Sequence, residues 1–417
     1  MSKRLIKTLG ASALLAASAM AFVATGHAQM ANQGQGLAND GDAAFASHGG
    51  DGVVSTAAPT GPGLSRLPLT TPDVMPYDAA TVPAEAPSGA SSSGDPEVGT
   101  EAYGTSTEGW PYSHQRVAVT GPYPGPGTYA FQVPVTSRPY RWAGKLWMRF
   151  DNSWFVCSAA LIKKGVLVTA AHCVHQYGQG AGGFADEVRW YPANLNAAGG
   201  PWGYYQGVNW IIPTVYRDGT DTCQSGANGV VCNNDIATVT LAARNGLYPG
   251  QGLGGWYWYG WNGYSYKVNS SGFGNHTIAE INQLGYPVAW DSGRQMQRNN
   301  SFGKYVTSTS TTNGQLLKNT QLGSPLSGGS SGGPWIVNFS TRPLLTNTSD
   351  ASYGAMPTRN VIVGTTSWGY TNKDINVQGA SWFGQNNEFP NASYGSYGAG
   401  NIGALVQYTC TTYAAYC

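Results

Sequence analysis

From about residue 138 onward, short apolar and aromatic runs alternate with Gly, Asn and Lys breaks, and this pattern constrains the fold most strongly. Residues 141–150, 154–162 and 166–169 form the clearest runs. Similar runs occupy residues 187–191, 236–241, 277–281, 305–310, 335–338 and 361–368. Only a short helix, at 402–408, is predicted. Runs of this length separated by turn residues are typical of antiparallel barrels or sandwiches, so we predict an all-β chain with two such units.

The charge and composition exclude several protein classes. The 417 residues contain 22 Lys and Arg against 21 Asp and Glu. A nucleic-acid-binding protein needs an excess of basic residues to offset phosphate charge, and none is present here. With only 10% charged residues and 58 glycines, the chain is also unlike a coiled coil or a helical solenoid.

The N-terminus has the pattern of a secretory signal. Lys3, Arg4 and Lys7 precede an apolar run at residues 11–25, and small residues follow it at 26–28. That run is shorter than the ~20 apolar residues of a membrane-spanning helix, and no later stretch is long enough either. We therefore predict a signal peptide over residues 1–28, no membrane span, and a secreted or periplasmic protein. In that environment, an even number of cysteines favours disulfides over metal ligands.

Residues 29–137 differ in composition from the rest of the chain. They are rich in Ser, Gly and Pro, with few periodic apolar positions, so we predict a largely disordered segment. Two basic residues against ten acidic ones give it a net charge of −8, whereas residues 138–417 carry +6. Two interpretations remain open. The segment is either an acidic linker or a pro-segment that docks on the basic domain until it is removed.

Two segments contain residues suited to proton transfer. His172 follows an apolar run and lies in a turn of small residues. It could also be a structural histidine, or a metal ligand together with His175, although no HExxH motif supports a metal site. Asp235 opens the apolar run 236–241, where a buried carboxylate needs a partner such as a histidine. Taken alone, this segment favours an ordinary Asp that caps its own turn at the start of a strand.

A third segment places serines among glycines at residues 327–335. A flexible linker has this composition, but a linker does not usually lead directly into an apolar strand such as 334–337. Glycines on both sides of a serine let the backbone direct two N–H groups at one point, as an oxyanion site requires. The GxSxG pattern also occurs in α/β-hydrolases, whose catalytic histidine must follow the serine. No histidine follows His276, so that order is excluded and the order His172, Asp235, Ser331 remains.

In four motifs the sequence resembles the trypsin/chymotrypsin-like serine peptidases. They are TAAHCV around His172, DIATVTL from Asp235, GSSGGPW around Ser331 and GTTSWG at residues 364–369, in the family's order. The resemblance covers roughly residues 140–410. It implies a peptidase domain over residues 138–417, consisting of two six-stranded antiparallel β-barrels with the active site in the cleft between them.

The resemblance also implies a role for each matching residue. Ser331 would be the nucleophile, His172 the general base and then acid, and Asp235 the group that orients the imidazole. The N–H groups of Gly329 and Ser331 would form the oxyanion hole. The substrate backbone would pair with three consecutive residues, Ser367, Trp368 and Gly369.

Two departures from the family pattern affect activation and specificity. Ser330 stands where trypsin-type members carry the aspartate that receives the new N-terminal ammonium, and no Arg/Lys-Ile-Val-Gly-Gly junction lies near residue 138. In this respect the chain is nearer to the bacterial glutamyl-endopeptidase branch. However, Thr366 and Ser367 replace the histidine that this branch uses beside its Trp-Gly pair, so the resemblance does not extend to glutamate specificity.

Six cysteines allow 15 pairings. The resemblance implies a disulfide between Cys157 and Cys173. Pairing of sequence neighbours is the simplest hypothesis for the other four: Cys223 with Cys232, and Cys410 with Cys417.

The sequence therefore predicts a monomeric, secreted serine endopeptidase that acts on proteins or peptides. It needs no metal and no organic cofactor, and its own N-terminal segment is a predicted partner. The alternative is a catalytically silent protein of the same fold that binds peptide or cell-surface material.

Overall fold

The computed structural model describes residues 64–68, 101–105, 111–117, 135–151, 153–195, 202–224, 227–260, 266–270, 274–310, 313–340, 358–370 and 375–417. The predicted signal peptide, at residues 1–28, lies outside these ranges, as does most of the segment 29–137. Three strands precede the main body: β1 (Leu64–Pro68), β2 (Glu101–Thr105) and β3 (Pro111–Arg116).

Six strands form the first barrel, which we call barrel one. They are β4 (Ala143–Phe150), β5 (Ser153–Lys163), β6 (Val166–Thr169), β7 (Glu187–Pro192), β8 (Tyr205–Pro213) and β9 (Ala237–Leu241). They pair in the order β4-β5-β6-β9-β8-β7, and β7 pairs with β4 to close the barrel. All of these pairings are antiparallel, and β1 adds to β8.

The second barrel, barrel two, follows in the chain. Its strands are β10 (Trp258–Tyr259), β11 (Tyr266–Ser270), β12 (Gly274–Gly285), β13 (Gln297–Thr309), β14 (Leu316–Gly323), β15 (Pro334–Val337), β16 (Val361–Gly369) and β17 (Val377–Ser381). Six of these strands close the barrel in the order β12-β15-β16-β17-β14-β13, with β13 returning to β12. The other two lie outside the closed order: β10 pairs with β16 and β11 with β12. The predicted all-β fold with two six-stranded antiparallel barrels is therefore confirmed.

Helices are few and short among the described residues. They are α1 (Thr214–Arg217), α2 (Pro249–Leu253) and α3 (Gly400–Thr412). Single 3-10 turns occur at Tyr140–Trp142, Ala171–Cys173, Gly180–Gly183, Asp291–Gly293, Gly395–Tyr397 and Ala414–Tyr416. None of the helices in this part of the chain is long and apolar enough to cross a membrane.

Fully buried apolar side chains fill barrel one and explain why its runs form strands. Leu146, Leu161, Val168, Trp210 and Val239 come from five different strands, and all are 0% exposed. Burial of side chains of this size contributes about 1.5–3 kcal/mol each. Helix α3 packs on the same barrel, where a buried hydrogen bond of 2.7 Å joins the hydroxyls of Thr238 and Thr409.

Strand β3 lies within residues 29–137, the segment predicted to be largely disordered. It pairs antiparallel with β13 on barrel two, and β2 pairs with its other edge. Tyr112 and His114 alternate along it with half-buried neighbours, and they are 8% and 0% exposed. A strand that adds to an existing sheet uses that sheet's core, so it needs no apolar run of its own. Residues 111–117 are therefore part of the folded domain, which begins upstream of the predicted boundary at residue 138.

His114 predicts a stability that falls in acid. Burial lowers its pKa from 6.5 to about 4, against the raising effects of the Gln297 hydrogen bond and Asp291, while Arg116 lowers it further. Between pH 6.5 and 4 the unfolded chain therefore binds a proton that the folded chain rejects. The free energy of unfolding should drop by about 3 kcal/mol over this range, and the full stability is present above pH 6.5.

Urea unfolding at about pH 7 and about pH 4 checks this prediction. His114→Gln should be less stable than the wild type at neutral pH, but should lose about 3 kcal/mol less on acidification. The carboxylates titrate in both proteins, so the difference isolates His114. Equal losses in the two proteins would contradict the prediction.

Candidate active site

His172 lies in the 3-10 turn that follows β6. The strand ends at Thr169, and Ala170 remains extended before the turn Ala171–Cys173 begins. A disulfide between Cys173 and Cys157, with an S–S distance of 2.05 Å and a Cα–Cα distance of 6.2 Å, ties the turn to β5. The His172 side chain is 4% exposed. Its position is therefore determined by one strand end and one covalent link.

Asp235 meets His172 through two hydrogen bonds. The residue lies two positions before β9 and is 0% exposed. Its Oδ1 accepts from the backbone N–H of His172 at 2.8 Å, and its Oδ2 accepts from the ring Nδ1 at 2.7 Å. The hydroxyl of Ser367 also donates to Oδ2. Because a carboxylate only accepts, the hydrogen lies on Nδ1, which leaves Nε2 of the ring able to accept a proton.

Hydrogen bonds from Asn234 hold the segment before Asp235. The Asn234 backbone N–H and Nδ2 donate to the two carboxylate oxygens of Asp221 at 2.9 and 2.7 Å. Nδ2 groups of Asn386 and Asn401 donate to Oδ1 of Asn234 at 2.7 and 3.2 Å. Burial raises the pKa of Asp221 well above its ordinary value, and the nearby Glu388 raises it further.

Ser331 belongs to barrel two, in the segment between β14 and β15 that we call the serine loop, residues 325–333. Its side chain is half-buried, and its carbonyl accepts a hydrogen bond of 2.7 Å from the N–H of Ser158. Ser158 follows Cys157 on β5, so the loop is anchored beside the turn of His172. No hydrogen bond joins the Ser331 hydroxyl to His172 in this structure. Catalytic hydrogen bonds are often long in the free state and shorten when substrate binds.

Several backbone N–H groups of the serine loop are unengaged, and those of Gly329 and Ser331 are among them. Among the described residues, nothing accepts a hydrogen bond from the N–H of Gly329 or Ser331. The intervening Ser330 N–H donates to the Ser327 carbonyl at 3.1 Å, and Gly332 N–H donates to Thr366 at 2.6 Å. Gly329 has a φ of +92°, a conformation that glycine adopts readily. Backbone donors that are free of other acceptors are one requirement of an oxyanion site.

The predicted substrate-binding residues lie at the end of β16. Ser367 also contacts the carbonyl of Val230, 2.6 Å away. Trp368 is 6% exposed, and its Nε1 donates to Asn319 at 2.7 Å. Strand β15 pairs with β16 only as far as Thr365, so among the described strands the edge from Ser367 to Gly369 is paired on the β17 side alone.

The other four cysteines form disulfides between sequence neighbours, as predicted. Cys223–Cys232 and Cys410–Cys417 are disulfides, with Cα–Cα distances of 4.0 and 5.6 Å. Cys157, His172 and Cys173 lie close enough together to resemble a metal site, as do Asp221, Cys223 and Cys232. In both groups the cysteines are oxidised and offer no thiolate to a metal.

Three residues of the site escaped the sequence analysis. Ser158 donates through Oγ to the Gly329 carbonyl at 2.9 Å, and Ser381 accepts at Oγ from the Asp235 N–H at 3.0 Å. Gln378 donates to Ser330 Oγ at 3.2 Å. Each lies in a strand with no local motif, so only the tertiary structure reveals its role.

Gly332 has no space for a side chain. Its φ is +76°, and a Cβ atom there would collide with Thr169 Oγ1 and with the Ser158 carbonyl. Gly332→Ala should lower the free energy of unfolding by about 3 kcal/mol or more, because strain and overlap add. Gly246 is the matched control, since its φ is +78° but no atom lies within 4 Å of the position that an alanine methyl group would take there. Gly246→Ala should cost about 1 kcal/mol. Urea unfolding measures both, and equal losses would contradict the prediction.

No family model and no curated protein sequence matches the chain. Solved structures are similar to it. The thermostable serine protease AL20 from an extremophilic microorganism is 20% identical, with a TM-score of 0.42 over 58% of this chain and 92% of its own. The protease Anisep from Arthrobacter nicotinovorans is also 20% identical, with a TM-score of 0.41 over 59% of this chain and 91% of its own. A Glu endopeptidase is 15% identical, with a TM-score of 0.39 over 72% of this chain and 96% of its own.

These similar structures are chymotrypsin-like serine proteases. The fold of this chain follows from its own strand pairings, which close two six-stranded antiparallel barrels. His172 and Asp235 lie on barrel one and Ser331 on barrel two. The chain has the chymotrypsin-like fold.

Proposed function

We propose that this protein is a secreted serine endopeptidase that hydrolyses peptide bonds through an acyl-enzyme. The observation that carries the proposal is one buried constellation. A His172–Asp235 pair lies beside a serine loop in which two N–H groups, those of Gly329 and Ser331, remain unengaged. Neither a linker nor a structural histidine accounts for all of these features together.

Each residue has a step in the proposed reaction. The Ser331 Oγ attacks the carbonyl carbon of the scissile bond while Nε2 of His172 takes its proton. Asp235 holds the ring by Nδ1 and stabilises the imidazolium. The oxyanion that forms is stabilised by the Gly329 and Ser331 N–H groups. His172 then protonates the leaving amine, and water repeats the sequence on the acyl group.

Substrate would be held as an additional strand along the edge of β16 from Ser367 to Gly369. The reaction uses no metal and no organic cofactor, because the serine and histidine supply both nucleophile and proton transfer. We propose a monomer exported by the signal at residues 1–28. Three disulfides, one of them beside His172, support an oxidising environment.

A catalytically silent protein of the same fold is the second candidate. It would bind peptide along β16 without cleaving it. The intact His172–Asp235 pair and the two unengaged N–H groups disfavour it, because a silent binder has no use for either. A fluorophosphonate probe, which forms a covalent bond only with an activated serine, distinguishes the two candidates.

The residues N-terminal to β3 are proposed to restrain the enzyme until they are removed. Residues 29–110 carry −9 against +7 for residues 111–417. A tethered acidic chain acts at an effective concentration of order mM, so even a weak electrostatic contact would be populated. With Ser330 in place of the aspartate that trypsin-type members use, a separate form of latency is needed.

Ser331→Ala should abolish peptide hydrolysis and fluorophosphonate labelling while leaving the free energy of unfolding within about 1 kcal/mol of wild type. A half-buried hydroxyl contributes little packing but supplies the covalent step. Ser330→Ala is the matched control in the same loop. It should retain labelling, because Ser330 only makes hydrogen bonds within the loop and to Gln378. If Ser330→Ala abolished labelling and Ser331→Ala retained it, the nucleophile would be Ser330.

Cleavage after Arg or Lys should not dominate. By position, Pro325 or Leu326 takes the place of the pocket aspartate in trypsin-type enzymes, and neither neutralises a buried cation. Glu388 is a candidate acid for this role, but its carboxylate accepts hydrogen bonds from Thr222 and Asn233. A peptide library should show a preference for small or apolar residues, with Arg and Lys at least about tenfold poorer. Predominant cleavage after Arg or Lys would overturn this prediction.

A further inference from the structure

We propose that strand β3 positions the Gly329 N–H through His114 and Arg116, so that the active site is complete only when β3 is docked. This inference rests on the proposed peptidase function. It concerns a segment whose composition predicts disorder and which contains none of the motifs of the active site.

Strand β3 contacts residues 286–294, which we call the support loop, through two side chains. The His114 ring lies 4.0 Å from the Trp290 ring, centroid to centroid, and bonds through Nε2 to Gln297 at 2.9 Å. Arg116 Nε donates to Asp291 Oδ2 at 2.5 Å, and Gln297 Nε2 donates to the same oxygen at 2.7 Å. Two adjacent residues of the support loop are therefore held by alternate residues of one strand.

The support loop needs contacts from other parts of the chain to keep its backbone conformation. Asp291 and Ser292 have φ values of +51° and +53°, in the left-handed region that residues other than glycine rarely occupy. Such conformations persist when surrounding contacts impose them. Lys145 supplies one contact by donating from Nζ to the Gly293 carbonyl at 2.7 Å. Arg116, which is bound to Asp291 itself, supplies another contact.

Three consecutive residues of the support loop donate hydrogen bonds to the serine loop. The N–H of Val288 donates to the Gly328 carbonyl at 2.8 Å. Ala289 N–H donates to Ser327 Oγ at 3.0 Å, and Trp290 Nε1 donates to the Pro325 carbonyl at 3.1 Å. Trp290 thus contacts β3 with its ring and the serine loop with its ring nitrogen.

The peptide plane between Gly328 and Gly329 sets the direction of the Gly329 N–H. In a trans peptide, the carbonyl of one residue and the N–H of the next point in opposite directions. The bond from Val288 to the Gly328 carbonyl therefore directs the Gly329 N–H away from the support loop. That N–H is one of the two donors proposed for the oxyanion site, and it is unengaged. Loss of the support loop's position would let this plane rotate and remove the donor from the oxyanion.

The test uses full-length protein with Arg116→Met, which removes the guanidinium but keeps an apolar stem. The measurements are the rate of labelling by a fluorophosphonate, kcat and KM on a peptide amide that the wild type cleaves, and circular dichroism at the assay temperature. We expect the labelling rate and kcat to fall about tenfold, with KM within about threefold. Complete loss of one oxyanion donor costs about 10²- to 10³-fold, and here the donor is only partly released.

Two further variants separate positioning from general stability. Gln115→Ala is the matched control on β3, because Gln115 is half-buried and its side chain has no hydrogen bond among the described residues. It should keep wild-type kcat. Trp290→Phe keeps a ring against His114 but loses the bond to the Pro325 carbonyl, and it should lower kcat with KM unchanged. Arg116→Lys should recover part of the rate lost in Arg116→Met.

The outcomes distinguish this inference from the proposed function. If the wild type is neither labelled nor active, the proposed function fails. If the wild type is active and folded Arg116→Met and Trp290→Phe match it in labelling rate and kcat, only the role of β3 fails. A loss that merely follows the unfolded fraction would likewise overturn the inference and make β3 a stabilising strand.

Discussion

The structure depends on the burial of one carboxylate, that of Asp235. An ionised group in the interior is tolerated only with hydrogen-bond partners of good geometry. His172 supplies two of them from barrel one, and Ser367 supplies another from barrel two. The backbone N–H of Asp235 in turn donates to Ser381, also in barrel two. The requirement of one buried charge therefore aligns both barrels around the imidazole, and the orientation of His172 follows from it.

Two adjacent residues of β5, Cys157 and Ser158, connect the turn of His172 to the loop that contains Ser331. Cys157 is bonded to the turn of His172, and its neighbour Ser158 contacts the serine loop with two groups. The Ser158 N–H donates to the Ser331 carbonyl, and its hydroxyl donates to the Gly329 carbonyl. The same hydroxyl accepts from the N–H of Tyr286, at the start of the support loop. Cys157 and Ser158, two adjacent residues of one strand, thus position His172, Ser331 and the two N–H groups proposed for the oxyanion site.

The sequence predicted those strands whose burial is visible in apolar side chains, such as β4 and β5. It did not predict β8, β14 or β17, because they bury polar groups. Gln378 in β17 is 2% exposed, and its amide donates to the Leu326 carbonyl and to Ser330. A polar side chain can be buried when the fold provides its partner, and periodicity cannot show that partner. The proposed triad could be located because its residues lie in motifs, whereas Ser158 and Ser381 act through tertiary position alone.

Strand β3 shows a second reason why composition can mislead. Composition tells whether a segment can bury a core of its own, but one strand that adds to a closed barrel needs only a paired edge and a few good contacts. Arg116 is one of two basic residues in the segment 29–137, and it lies on Asp291. All ten acids of that segment precede β3, so residues 29–110 carry a net charge of −9. All of these acids therefore precede β3 along the chain, although β1 and β2 lie among them. A restraining role for residues 29–110 is compatible with a positioning role for β3.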